Sequence, residues 1–191
     1  MSLWGTLRSI GEVFGWKRAA EPVGCNLGKV IYRETKRSAQ IANFHRPRRQ
    51  LRPGTRALMR ELFPELDVNA IRVRTRCRLP SNRFSQTGSI YGMTFGYTIY
   101  WRDNLDEDDP TDLVKLVHEV MHVDQVRRYG SEDDFACEYG KGYLAGGGDV
   151  PGHIRNPTAY HRNPLEAEAY AFDARFRDER GRVVPDRLPT P

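Results

Sequence analysis

Two histidines and a glutamate form the pattern His-Glu-x-x-His at positions 118–122. On an α-helix four residues turn the chain by about 400°, so both imidazoles point to the same side, one turn apart. Each imidazole can then place a ring nitrogen about 2.0–2.1 Å from one zinc ion. In this pattern the glutamate holds the zinc-bound water and takes its proton. We therefore expect His118 and His122 to bind zinc, and Glu119 to act as the general base of a hydrolytic reaction.

The residues around this motif predict the helix that it requires. Asp109 is placed to cap the helix, and Pro110 fits its first turn. An apolar face at helical spacing follows, formed by Leu113, Leu116, Val117 and Val120. The motif is thus expected to lie on a helix that packs on a core.

Two histidines leave a zinc site incomplete, so a third ligand is needed. The metzincin pattern would require Gly at position 125 and His at position 128. The chain has Gln125 and Arg128 instead, which excludes that class. A carboxylate from a second helix is the remaining source of a third ligand.

Such a helix is predicted after Asn163, a capping residue, with Pro164 in its first turn. Alanines at 167, 169 and 171 would let this helix approach another helix closely. Glu166 and Glu168 are about 200° apart around its axis, so at most one of them can face the metal.

Further elements are predicted upstream. A helix is expected from Pro53 until Pro64 stops it, and a half-buried strand over residues 67–75. In residues 88–101 large apolar residues alternate with polar or small ones, which predicts a strand, or a hairpin bent at Gly92 or Gly96. Together these elements predict an α+β fold, in which a small twisted sheet packs on the His-Glu-x-x-His helix and on a second, glutamate-bearing helix.

Two segments carry a resemblance to a known family. Residues 94–100, Thr-Phe-Gly-Tyr-Thr-Ile-Tyr, lead to residues 118–125, His-Glu-Val-Met-His-Val-Asp-Gln. This resembles the core domain encoded in extracellular contractile injection system loci, which pairs a Thr-x-Gly-x-x-Ile-Tyr strand with His-Glu-Leu-x-His-Val-x-Gln and is regarded as a zinc metallopeptidase family. The resemblance implies a zincin-like fold, zinc as the cofactor, a peptide or protein substrate, and injection-system components as partners. In such a fold the strand over 94–100 would be the sheet edge that pairs with an extended substrate.

The segment from Glu166 to Phe172 is also similar to the ImmA/IrrE-type and membrane-embedded zincins. In those proteins the ligand glutamate precedes a small residue by three positions and an Asn or Asp by four. This implies that Glu166 is the third metal ligand and Ala169 the small residue. Tyr170 then replaces the amide or acid that would steady a ligand histidine. Glu168 also has an alanine three positions on, and it is the alternative ligand.

We therefore predict zinc-dependent peptide-bond hydrolysis with Glu119 as the base. The alternative is a zincin-fold protein without catalysis, which serves as a scaffold, cargo or assembly component of an injection-type system. A separate hypothesis is nucleic-acid binding by residues 33–52, which carry seven basic residues and one acid. Only Phe44 and His45 interleave there as stacking groups, so we do not expect nucleic acid as a partner.

Other residues that could do chemistry have weaker patterns. We expect the remaining histidines to be solvated rather than ligands; these are His45, His153 and His161. Tyrosines that could polarise an oxyanion, or simply belong to the core, are Tyr129, Tyr160 and Tyr170. The cysteines are Cys25, Cys77 and Cys137, and their odd number and wide spacing predict that all three are reduced.

Length and composition limit the number of domains and the class of protein. Its 191 residues, 39% hydrophobic with a formal net charge of +5, fit one domain with a modest core. We divide the chain into an amphipathic N-terminal segment (1–22), a single zincin-like domain (23–180) and a C-terminal tail (181–191), with a joint at 21–24. The chain contains no run of about 18 apolar residues, so no transmembrane helix is predicted. The N-terminus does not read as a secretory signal, which predicts a cytoplasmic location, or export by a non-classical or injection-type route.

Overall fold

The computed structural model describes residues 16–79, 90–147 and 157–189. Most of the predicted N-terminal segment, and His153, lie outside the described residues. The helices and strands, in chain order, are α1 Trp16–Ala42, α2 Pro53–Leu62, β1 Arg72–Arg74, β2 Gly92–Phe95, β3 Thr98–Trp101, α3 Pro110–Tyr129, α4 Glu132–Ala145, α5 Pro157–Arg162 and α6 Pro164–Asp173. Helices with a small three-stranded sheet confirm the mixed α+β class. The helix predicted from Pro53 is confirmed as α2.

The sheet has the strand order β1-β3-β2. β3 is parallel to β1 and antiparallel to β2, with Thr94 opposite Ile99. The chain reverses at Gly96, whose φ of +56° favours glycine, so the expected bend at this residue is confirmed. One expectation was wrong in part: because of this reversal, only the β2 part of residues 94–100 lies at an edge of the sheet, while β3 lies in its centre. The strand expected over 67–75 is also shorter, since Val68–Ala70 forms a 3-10 turn.

The main core lies between the sheet, α2 and α3. It contains Ile71, Val73 and Ile99 of the sheet region and Met59 of α2, all without exposed surface. The fully buried valines of α3 are Val114, Val117, Val120 and Val123. Burial on most of its sides fixes the position of α3, and α3 also packs against α6.

α1 packs on α4, and the two helices approach very closely at glycines. A Cβ atom added to Gly28 would lie 2.0 Å from the backbone oxygen of Ala136, so only glycine fits there. The predicted joint at 21–24 was wrong as a local structure, because α1 continues through it with Pro22 inside the helix. A single proline costs one backbone hydrogen bond, which the long packed interface with α4 can offset.

A disulfide joins Cys25 of α1 to Cys137 of α4. The expectation that all three cysteines are reduced is therefore wrong for these two, and it holds for the buried Cys77. The partners are 112 residues apart in the sequence, so no local spacing could indicate the pair. Disulfides are typical of oxidising compartments, so the cysteines give no support to the predicted cytoplasmic location.

The described part of the predicted tail folds back on the domain. Arg177 forms an antiparallel bridge with Val183, and Val183 and Leu188 pack against the main core. No helix in the described part of the chain is long and apolar enough to cross a membrane.

Candidate metal centre

α3 begins and ends where its sequence predicts. The side chain of Asp109 accepts a hydrogen bond from the backbone N–H of Asp112 at 2.9 Å, and Pro110 is the first helical residue. Gly130, with a φ of +82°, ends the helix in the left-handed conformation that glycine adopts without strain. The expected capping at Asp109 and Pro110 is confirmed.

The structure brings His118, His122 and Glu166 together. The Nε2 atom of His118 lies 3.5 Å from Oε2 of Glu166, and Nε2 of His122 lies 3.6 Å from Oε1. In a tetrahedral zinc site with bonds of about 2.0–2.1 Å, neighbouring ligand atoms are about 3.3 Å apart. The ligand atoms of all three residues lie within 4.8 Å of one another, so this buried group could hold a metal ion.

The chemistry of the three side chains fits a cation. Glu166 is only 2% exposed, and its Oε2 atom has no hydrogen-bond partner among the described residues. A buried carboxylate oxygen without a partner is costly, and a metal ion would satisfy it. Two imidazole nitrogens and one carboxylate oxygen are a donor set that suits zinc.

The three groups strongly perturb one another's pKa values. Burial alone lowers the pKa of His118, but the nearby carboxylates of Asp173 and Glu166 outweigh it and raise this pKa to about 10. Burial raises the pKa of Glu166, yet the two imidazoles together hold it well below its usual range. In the absence of a metal, a proton on His118 therefore balances the negative charge of the Glu166 carboxylate.

Gln125 fixes the orientation of His122. Its side-chain oxygen lies 2.8 Å from Nδ1 of His122, and its amide nitrogen donates to the backbone oxygen of Leu165 at 2.8 Å. Because the amide oxygen can only accept, Nδ1 of His122 carries the proton and Nε2 is left facing Glu166. Gln125 is completely buried, so this arrangement is enclosed by packing.

Glu168, the alternative ligand, has other partners. Arg128 donates to its Oε1 atom at 2.7 Å, and Gln125 donates to Oε2 at 2.9 Å. The arginine at position 128, where a metzincin would have its third histidine, thus holds this glutamate. Of the two glutamates, the structure brings only Glu166 to the histidines.

Asp173 lies beside the other imidazole, and sequence reasoning missed it. Its Oδ2 atom is 3.5 Å from Nδ1 of His118, and its other oxygen is 3.5 Å from Nε of Arg177. Asp173 follows Glu166 by seven residues, which places both on one face of α6, and this spacing was the available signal. Tyr170, at the position where the resemblance expected an acid or amide, instead packs its ring 4.7 Å from that of His118.

Tyr139 of α4 is a second residue that sequence reasoning missed. Its hydroxyl donates to Oε1 of Glu166 at 2.6 Å. Burial and the charge of Glu166 raise the pKa of Tyr139 well above its usual value, so the phenol keeps its proton. No spacing along the chain connects α4 with α6, so this contact had no sequence signal.

Glu119, the predicted base, is held by the edge strand β2. The hydroxyl of Thr94 donates to its Oε2 atom at 2.7 Å. A Cβ atom added to Gly92 would lie 2.9 Å from the carboxyl group of Glu119, so the absent side chain leaves room for it. The two residues together confine the carboxylate against the sheet.

The remaining candidates lie at different distances from this group. Tyr170 is 37% exposed, with its ring 5.1 Å from that of His161. Tyr160 has its pKa raised well above the usual value, first by burial and then by the charge of Glu166. Tyr129 and His45 are exposed, and within the described part of the chain neither forms a hydrogen bond, ion pair or ring contact with the three residues of the centre.

Much of the basic run over 33–52 is paired within the chain. Lys36 binds Glu132 at 2.6 Å, and Arg52 binds Asp108 at 2.7 Å. Two more ion pairs of this kind are Arg33–Asp133 and Arg49–Glu107. These contacts connect the run to α4 and to the loop before α3.

Comparison of the chain with protein-family models, with curated proteins and with solved structures found no match. The resemblance to the injection-system core domain thus stays a prediction from short motifs.

Proposed function

We propose that this chain is a zinc-dependent peptidase of zincin type. The observation that carries the proposal is the convergence of His118, His122 and Glu166 from two separate helices, with Glu119 next to the first histidine. Structural ion clusters also perturb pKa values, but here the two nitrogen–oxygen distances, 3.5 and 3.6 Å, are close to the distance between neighbouring ligands of a zinc ion.

The chain supplies a complete set of residues around the metal. His118, His122 and Glu166 would hold zinc, which supplies Lewis acidity that polarises a carbonyl and acidifies water. Gln125, hydrogen-bonded to His122, and Asp173, 3.5 Å from His118, would orient the two imidazoles, and outer partners of this kind raise metal affinity. Tyr139 would orient the carboxylate of Glu166.

Glu119 would transfer the protons of the reaction. It takes a proton from the attacking water and later gives it to the leaving amine. The hydroxyl of Thr94 holds this carboxylate in one place through its 2.7 Å hydrogen bond, which reduces the entropy lost in the reaction.

Tyr170 and β2 would act on the substrate. Burial raises the pKa of Tyr170 to about 12, so at neutral pH its hydroxyl remains a donor for the carbonyl oxygen. Among the described residues β2 pairs only with β3, which leaves its other edge free for an extended peptide. An extended peptide or protein segment is thus the substrate class that this site favours.

Metal analysis tests the ligand set. We expect one zinc per chain in the purified protein and its loss in Glu166→Gln. Glu168→Gln is the matched control two positions away, and it should keep the metal. Full zinc occupancy in Glu166→Gln would contradict the proposal.

Hydrolysis of casein and of a peptide library tests the reaction. Glu119→Gln should keep zinc but lose turnover by roughly 10²–10⁴-fold, the range for removal of a general base. If zinc-loaded wild-type protein cleaves nothing and Glu119→Gln changes nothing, a scaffold without catalysis is favoured.

A further inference from the structure

The outer face of α1 points away from α4 and carries an ordered row of side chains. Val30 and Ile41 are 59% and 63% exposed, and Phe44, in the turn after the helix, is 80% exposed. We call this row the outer stripe; its members are Leu27, Val30, Glu34, Arg37, Ile41 and Phe44. The intervals alternate between three and four residues, which is the spacing of a helix-to-helix seam.

The order of the outer stripe is the same from either end. Two apolar residues precede Glu34 and two follow Arg37, so an acid and a base form the centre. A second copy laid antiparallel would bring Glu34 opposite Arg37, Val30 opposite Ile41, and Leu27 opposite Phe44. A parallel copy would bring like charges together, which is unfavourable.

The two central charges are free to pair with another molecule. Neither Glu34 nor Arg37 has an ion pair with any residue that the structure describes. Their neighbours Arg33 and Lys36, by contrast, bind acids of α4. The chain thus neutralises the charges beside the outer stripe and leaves those within it unmatched.

We propose that the outer stripe joins two copies of this chain in an antiparallel, two-fold symmetric helix pair. Such an interface uses the same surface on both copies, which the order of the outer stripe provides. From Leu27 to Ile41 the helical part of the row extends over about 21 Å at roughly 1.5 Å per residue. A single helix pair of this length falls below the standard interface size of about 1,200–2,000 Å², so the dimer dissociates on dilution. The inference does not depend on the metal centre.

Charge reversal at the centre tests the antiparallel pairing by sedimentation velocity over a range of concentrations. Glu34→Arg alone and Arg37→Glu alone should each weaken dimerisation at least tenfold, since each places like charges opposite each other. An equimolar mixture of the two variants should associate as a heterodimer, and the double variant E34R/R37E should dimerise like the wild type. Gln40→Arg is the matched control, because residue 40 is exposed but about a quarter turn away from the row.

The outcomes separate clearly. A wild-type protein that stays monomeric at every concentration would overturn the proposal, as would a dimer that neither reversal weakens. Failure of the mixture to associate would exclude the antiparallel arrangement. Far-UV circular dichroism and thermal unfolding check that each variant is folded.

Discussion

Glu166 and Glu168 are two positions apart on α6, yet only Glu166 is suited to a metal. Glu168 is already bound by Arg128 and Gln125, and those contacts would be lost if it turned to a cation. Glu166 is deeper, and one of its oxygens has no hydrogen-bond partner in the described part of the chain. Its other oxygen accepts a hydrogen bond from the neutral hydroxyl of Tyr139, which can persist while a metal is bound.

Gly92 offers a test of how Glu119 is positioned. We expect Gly92→Ala to lower turnover by on the order of 10²-fold, because the new methyl group must displace the Glu119 carboxylate and small misplacements have effects of this size. Zinc content should not change, since the three atoms nearest to the new methyl group all belong to Glu119 and not to His118, His122 or Glu166. Peptide hydrolysis and metal analysis on the same preparation measure both. Unchanged turnover would show that Glu119 does not need its present position.

For individual residues, the spacing along the sequence made part of the candidate metal centre predictable. His118, Glu119 and His122 follow from the geometry of one helix. Spacing could also say that only one of the two glutamates faces the metal, but the partners of Glu168 come from α3 and appear only in the fold. Tyr139 could not be predicted, since its hydrogen bond crosses between two helices.

Among the elements, α1 and α4 act as one unit that supports the centre. Tyr32 of α1 accepts a hydrogen bond from the backbone N–H of Gly96 and donates to Glu132 of α4, each at 2.8 Å. The disulfide adds a covalent connection between the same helices. α4 in turn supplies Tyr139, so the position of Glu166 depends indirectly on α1.

Loss of the disulfide should destabilise the protein. We expect Cys25→Ser to lower the free energy of unfolding by about 2–4 kcal/mol, because the cross-link restricts the unfolded chain over a long loop. Urea denaturation with and without reductant measures this. Reductant should weaken the wild type and leave Cys25→Ser unchanged. An equal effect of reductant on both proteins would mean that the pair does not stabilise the fold.

Prediction of the elements succeeded where residues act locally. Caps and prolines marked the starts of α2, α3 and α6 correctly. Pro22 and its neighbours suggested a joint because proline usually interrupts a helix, and the packing of α1 on α4 overrides that tendency. The disulfide depends on the same tertiary contact and was missed for the same reason.

For the molecule as a whole, protons and metal compete for the same buried group. The raised pKa of His118, about 10, means that this imidazole is protonated at pH 7 in the metal-free protein. Zinc requires neutral imidazoles, so metal binding must release protons.

Calorimetry can count these protons. Zinc binding at pH 7, measured in buffers of different ionisation enthalpy, should release at least one proton per chain. Below the pKa of His118, zinc affinity should rise about tenfold for each unit by which the pH is raised, since each unit increases the neutral fraction of this imidazole tenfold. Asp173→Asn is the control: it removes the largest of the interactions that raise this pKa and should reduce the release. Zinc binding without proton release at pH 7 would show that the imidazoles are already neutral.

The ligand atoms of the centre come from two helices more than 40 residues apart in the sequence, and no short peptide of this chain contains all three. A metal bound there would cross-link two distant segments, and it could bind only while both are in their folded positions. Such an ion would bind the folded chain and not the unfolded one, so its loss would lower the free energy of unfolding as well as any activity.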